Sequence, residues 1–105
     1  MDGQQIRQFL YRFEPVRPEM VDNPDLWTED DVRLAEEHFA YLERATAAGT
    51  LLLAGRCLDG EGPAIVIVEA RSEDEARRFM ENDPFVSGGF ARAYLHPFRA
   101  PLVRK

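Results

Sequence analysis

Between Thr28 and Gly49 the chain carries a helix with both ends written into its sequence, and any fold that forms must cover that helix's apolar stripe. Thr28 is placed to cap the first free N–H groups, and Asp31, three residues on, sets a carboxylate near the positive end of the dipole. Val32, Ala35, Phe39 and Leu42 recur at helical spacing. Leu34, Tyr41, Ala45 and Ala48 widen the stripe, while Glu36, Glu37, Glu43 and Arg44 take the far side. Gly49 supplies a left-handed stop. His38 lies four residues after Leu34 and three before Tyr41, hence along the edge of the stripe, as the internal residue of this helix able to exchange a proton near neutral pH.

Around this helix the sequence predicts four strands. Ile6 to Phe13 alternates, with Phe9, Tyr11 and Phe13 on one face. Glu14 to Trp27 follows, and Pro15, Pro18 and Pro24 make it a long ordered loop or arm with Met20, Val21, Leu26 and Trp27 as its apolar content. Leu51 to Leu58 is nearly continuous apolar sequence, Asp59 to Pro63 is a hairpin turn, and Ala64 to Ala70 is β-branched on both faces. Ser72 and Glu75 stand in capping-box spacing before a helix that presents Ala76, Phe79 and Met80 to the core and stops at Asn82, Asp83 and Pro84. A turn or helical twist from Phe85 to Phe90 leads into a last strand, Ala91 to Phe98. The order β-α-β-β-α-β is that of an α+β, ferredoxin-like sandwich, a four-stranded antiparallel sheet with both helices on one face.

Size and charge narrow the function classes. A chain of 105 residues, 45% hydrophobic and 30% charged, fits one compact domain spanning residues 1–105. A net charge of −6 argues against nucleic-acid and anionic-membrane partners, which require a basic face. No apolar run is long enough to cross a bilayer and MDGQQIRQ is unlike a secretory leader, so a cytoplasmic protein is expected. Helices cover only one side of the sheet, yet the strands are apolar on both. The expectation is a homodimer packed through its sheet faces.

The chain resembles the YCII-related (YciI-like) family of the dimeric α/β-barrel superfamily. The resemblance rests on IRQFLYRF, on the His38 helix followed by GTLLLAGR, on EARSEDEARRFMENDPF with Asp83 and Pro84, and on LHPF, in that order and spacing. It implies His38 and Asp83 as active-site residues and a pocket rather than a particular substrate. The stretch Glu14–Trp27 is longer than in the shortest members, so the arm is expected to reshape or lid the pocket, and the resemblance carries over no relative's substrate.

Taken as a pair closing over a hollow, His38 and Asp83 make an acid-base dyad: the carboxylate accepts from one imidazole nitrogen and leaves the other to move protons on a small carbonyl-bearing or aromatic metabolite. The residues equally allow a semi-buried helix histidine and an aspartate that only caps the turn before Phe85. An enzyme without a cofactor and a non-catalytic ligand-binding or dimerisation module therefore both stand. His96, among Tyr94 and Phe98, is expected to fill the sheet face rather than act. Cys57 is expected to be inert core. Arg7, Arg12 and Arg56 are expected to pair with acids of the dimer, or else with an anionic ligand. Gly88 and Gly89 let the chain turn into the last strand, and the two histidines have no metal-ligand spacing.

Overall fold

Alternating burial along the strands sets the architecture. In the computed structural model, which describes residues 6–104, β1 (Arg7–Pro15), β2 (Leu51–Arg56), β3 (Ala64–Ala70) and β4 (Ala91–Phe98) form an antiparallel sheet in the order β2-β3-β1-β4. Phe9 lies opposite Val68 and Tyr11 opposite Val66, and residues directly opposed across antiparallel strands share a face. These four are buried together with Leu42 and Ala45 of helix α1 (Glu29–Ala47) and Ala76 and Met80 of α2 (Glu73–Glu81). The four-residue α3 (Pro84–Ser87) occupies the segment expected as a turn. The fold is the expected ferredoxin-like α+β sandwich.

The helix ends obey their capping chemistry. Thr28 and Asp31 form a reciprocal capping box, and Gly49, at φ 85°, takes the left-handed conformation beyond α1. Ser72 accepts from the Glu75 N–H, but Glu75 Oε1 returns its bond to the Arg71 N–H rather than to Ser72. Gly88 is small by necessity: a Cβ there would collide with Leu34 Cδ2 of α1 and stand 2.8 Å from the Pro84 carbonyl oxygen.

Several expectations are corrected. The core-facing line of α1 is Asp31, Leu34, His38, Leu42 and Ala45, and Val32 and Phe39 turn outward, Phe39 being 67% exposed. The apolar residues of this helix occupy more than one face, so spacing alone does not say which face meets the sheet. Strand β1 continues through Pro15, paired with Ala91, because Pro15 lies beyond the last β1–β3 pair, Arg12 with Ile65, so no N–H is needed on that side. Strand β2 stops at Arg56, and Cys57 is exposed rather than core, since β2 is an edge strand whose end runs out into the hairpin. His96 is exposed on the sheet face away from the helices, opposite Leu10.

The proline-rich stretch is an ordered arm with two 3-10 turns, Pro18–Met20 and Pro24–Leu26. Met20 is buried, the Trp27 indole N–H donates to the Met20 carbonyl at 2.9 Å, and Arg17 pairs with Asp31. Arg56 pairs with Asp22 of this arm at 2.9 Å, while Arg12 lies over the Tyr94 ring and Arg7 over Phe9. Arg56 thus finds its acid within its own chain, and Arg7 and Arg12 lie against aromatic rings of that chain.

Candidate functional site

Three elements converge beneath the arm. The inner line of α1 delivers His38, the junction between α2 and α3 delivers Asp83, and the middle of β1 delivers Tyr11. Asp83 has an extended backbone, φ −62° and ψ 127°, because Pro84 opens the next helix, and this turns its side chain back to accept the Phe85 N–H at 3.0 Å. The same Oδ1 lies 2.7 Å from His38 Nδ1, and Oδ2 accepts from the Tyr11 hydroxyl at 2.9 Å. Both readings drawn from the sequence therefore hold geometrically at once: Asp83 caps the turn and also meets His38.

Burial makes this carboxylate unusual. Asp83 is 0% exposed, and a sealed carboxyl is tolerated only with its polar atoms partnered, here by the Tyr11 hydroxyl and the Phe85 N–H as donors and by His38 Nδ1 as the third contact. Tyr11 is equally sealed, and burial, followed by the Asp83 charge and the hydrogen bond to it, pushes its hydroxyl far above the ordinary tyrosine range. It is a donor at every accessible pH. Tyr41 nearby is pushed up to about 12, by burial first and the Asp83 charge second, while its hydroxyl donates to the Phe79 carbonyl at 2.7 Å.

The His38 ring is held on its faces and edges by aromatics. Phe85 stacks on it at 3.9 Å with planes 11° apart, Phe90 stacks on Phe85 at 4.4 Å, and Phe13 meets the imidazole edge-on at 5.6 Å. Trp27 and Arg17 of the arm then close over Phe90. The sequence reading placed Phe85 and Phe90 in a turn and missed this column; two phenylalanines flanking a Gly-Gly step were its only trace. The side chain of His38 remains 15% exposed. Nε2 makes no hydrogen bond among the described residues, and none of their sealed side-chain polar atoms lacks a partner, so Nε2 reaches water.

The hollow expected over the pair is not where the sequence reading put it. A cleft of ≈ 460 Å³ runs between the arm, the end of β1 and the β2–β3 turn, with Arg12, Phe13, Val21, Arg56 and Cys57 in its wall. Phe13, which packs on His38, is its link to the dyad. His38 and Asp83 themselves do not line it, because Phe13 and Phe85 fill the space against the ring. Among the described residues no three His, Cys, Asp or Glu side chains gather as a metal site would require.

Known proteins give this geometry a context. A solved structure of 5-chloro-2-hydroxyhydroquinone dehydrochlorinase (TftG) from Burkholderia phenoliruptrix AC1100, in complex with 2,5-dihydroxybenzoquinone, is similar to this chain. The two are 26% identical with a TM-score of 0.63, and the match covers 88% of this chain and 93% of that one. No curated protein sequence matches. The YCII-related domain profile matches residues 16–99, which hold His38, Asp83, the arm and three of the four strands. By that match the chain belongs to the YCII-related family.

Proposed function

We propose that this protein is an acid-base enzyme acting on a small hydroxylated ring or carbonyl compound, with His38 Nε2 as the proton-transfer atom and Asp83 as the group that orients it. The observation that carries the reading is the 2.7 Å bond between His38 Nδ1 and a fully buried carboxylate, with the other ring nitrogen left open to water. An imidazole anchored at one nitrogen and stacked on Phe85 cannot turn freely, which fixes the direction in which Nε2 exchanges protons. The likeness to a dehydrochlorinase favours hydroxyquinones and hydroxyhydroquinones as the substrate class. For a chlorinated hydroxyhydroquinone, Nε2 would take a hydroxyl proton and return it to the chlorine-bearing ring carbon, giving the keto form, and would then take a second hydroxyl proton as the C–Cl bond breaks. Net loss of a proton and of chloride with its bonding pair then gives the quinone without an external oxidant.

The cleft beside Phe13 supports an approach for such a ring; its wall carries Arg12 and Arg56 together with Glu14 and Glu61, and Arg56 is already paired with Asp22. A homodimer formed through the open sheet face belongs to the same reading. The test uses 2,5-dihydroxybenzoquinone as ligand and 5-chloro-2-hydroxyhydroquinone as substrate. Ligand at a hundredfold excess over its dissociation constant stabilises the folded state by about 2.7 kcal/mol, a clear rise in melting temperature. His38→Gln should lower chloride release by about a hundredfold or more while the fold persists. Turnover that survives this replacement removes His38 from the chemistry, and an absence of both binding and turnover leaves a non-catalytic module.

A further inference from the structure

Asp83 carries the dyad, but its own state is set from the opposite side. We infer that Tyr11 is a positioning residue of this site: its sealed hydroxyl fixes the Asp83 carboxylate from the side opposite His38 and thereby holds His38 as the tautomer with hydrogen on Nδ1 and a free lone pair on Nε2. The inference rests on the dyad reading above and extends it to a residue 72 positions away from Asp83 in sequence.

The argument counts donors and acceptors. Oδ1 of Asp83 receives the Phe85 N–H, a backbone donor that cannot reverse, and faces His38 Nδ1. Among the described residues Oδ2 has one partner, the Tyr11 hydroxyl, at 2.9 Å. That hydroxyl stays protonated and meets no second acceptor among the described residues, so its hydrogen points at Oδ2. With a donor fixed on each oxygen, the carboxylate is oriented to accept a further hydrogen at Oδ1, and the hydrogen that meets this need is the one on Nδ1.

Remove the hydroxyl, and Oδ2 becomes a sealed charged oxygen with no donor. With the carboxylate no longer fixed from the β1 side, its hold on the Nδ1 hydrogen weakens. The ring is then free to carry its hydrogen on Nε2 instead, which turns the water-facing nitrogen from acceptor into donor. The site would keep its shape and lose its base. Tyr11 also stands between β1 and the helix layer, edge-on to Phe13 at 5.4 Å and tilted against Phe79 at 6.3 Å, so its ring packs independently of its hydroxyl. That makes Tyr11→Phe a replacement of the oxygen alone.

The experiment reads the tautomer directly from the ring 15N shifts of His38 above about pH 8, where a free imidazole is neutral. In the unaltered protein Nδ1 should show the protonated signature and Nε2 the lone-pair signature; in Tyr11→Phe the two should average or exchange. Unchanged shifts in the variant, or hydrogen on Nε2 in the unaltered protein, overturn the inference. If the variant does not fold, the unaltered protein still decides: the Tyr11 hydroxyl proton should be observed as a slowly exchanging resonance, and a rapidly exchanging one overturns the assignment. Where 5-chloro-2-hydroxyhydroquinone is turned over, the variant should lose about tenfold or more in kcat with KM little changed. Should the unaltered protein release no chloride, the functional reading fails while the 15N shifts still judge Tyr11.

Discussion

Asp83 binds three elements through one carboxylate. Tyr11 reaches it from β1, His38 from α1 and the Phe85 N–H from α3. Cutting the side chain back in Asp83→Ala strands a buried hydroxyl and a backbone N–H and leaves a void beneath the imidazole. Because hydrogen bonds to charged groups contribute more than neutral ones, the loss should be roughly 3 kcal/mol or more in urea unfolding. A loss below about 1 kcal/mol would mean that this carboxylate is not the joint the distances describe. At this scale the sequence was only partly legible. His38 announced itself as a titratable residue on an amphipathic helix, and Asp83 as a capping residue ahead of Pro84. Their meeting across 45 positions was implied by family resemblance rather than by any local pattern. Tyr11 read as an ordinary inward strand aromatic, because periodicity reports that a side chain is inside and not which oxygen it finds there.

At the scale of elements, the arm is fastened at its root. Asp31 accepts the Thr28 N–H and pairs with Arg17, so one carboxylate both starts α1 and holds the arm against it. The Arg17 hydrogen bond first, and the Thr28 N–H second, hold its carboxyl below the ordinary 3.8. The sign follows: the unfolded chain takes up this proton at higher pH than the folded protein, so Asp31 gives its full contribution above the ordinary value and loses it as pH falls through the lower folded one. Acid should therefore loosen the arm below about pH 4. Trp27, the chain's only tryptophan, sits against Phe90 and reports this through its fluorescence. Below that pH the Asp31→Asn protein should show a shallower acid dependence than the unaltered one, and identical profiles would sever Asp31 from the arm's hold. Capping chemistry made both long helices legible, since Thr28, Gly49 and Ser72 are local signals. The internal order of the arm was not, because three prolines exclude regular structure without saying what the chain does instead.

At the scale of the molecule, the helices consume one sheet face and leave the other. Leu10, Ile65 and Ile67 stand on that second face, half-buried only by their neighbours, with Leu53, Tyr94 and Phe98 more open around them. Strand patterns apolar on both sides made this visible in the sequence, while the overextension of β2 to Leu58 and the misplaced Cys57 arose because an edge strand and a central one share the same composition. These apolar residues share the face with Gln8, Arg12, Glu69 and His96, and the proposal of a homodimer expects a second copy of the same face to cover it by two-fold symmetry. Such a contact must bury on the order of 1,200–2,000 Å² in total to be stable. Ile67, on a central strand between Leu10 and Leu53 in the register, is the place where one charge does most harm: under two-fold packing, Ile67→Lys brings two ammonium groups into the same apolar interface. Sedimentation at micromolar concentration should give a dimer for the unaltered protein and a monomer for Ile67→Lys with its circular dichroism retained. A monomer in both would leave the face bare, and a dimer in both would move the interface elsewhere, most directly to the outward apolar surface formed by Val32 and Phe39 of α1 with Trp27 of the arm.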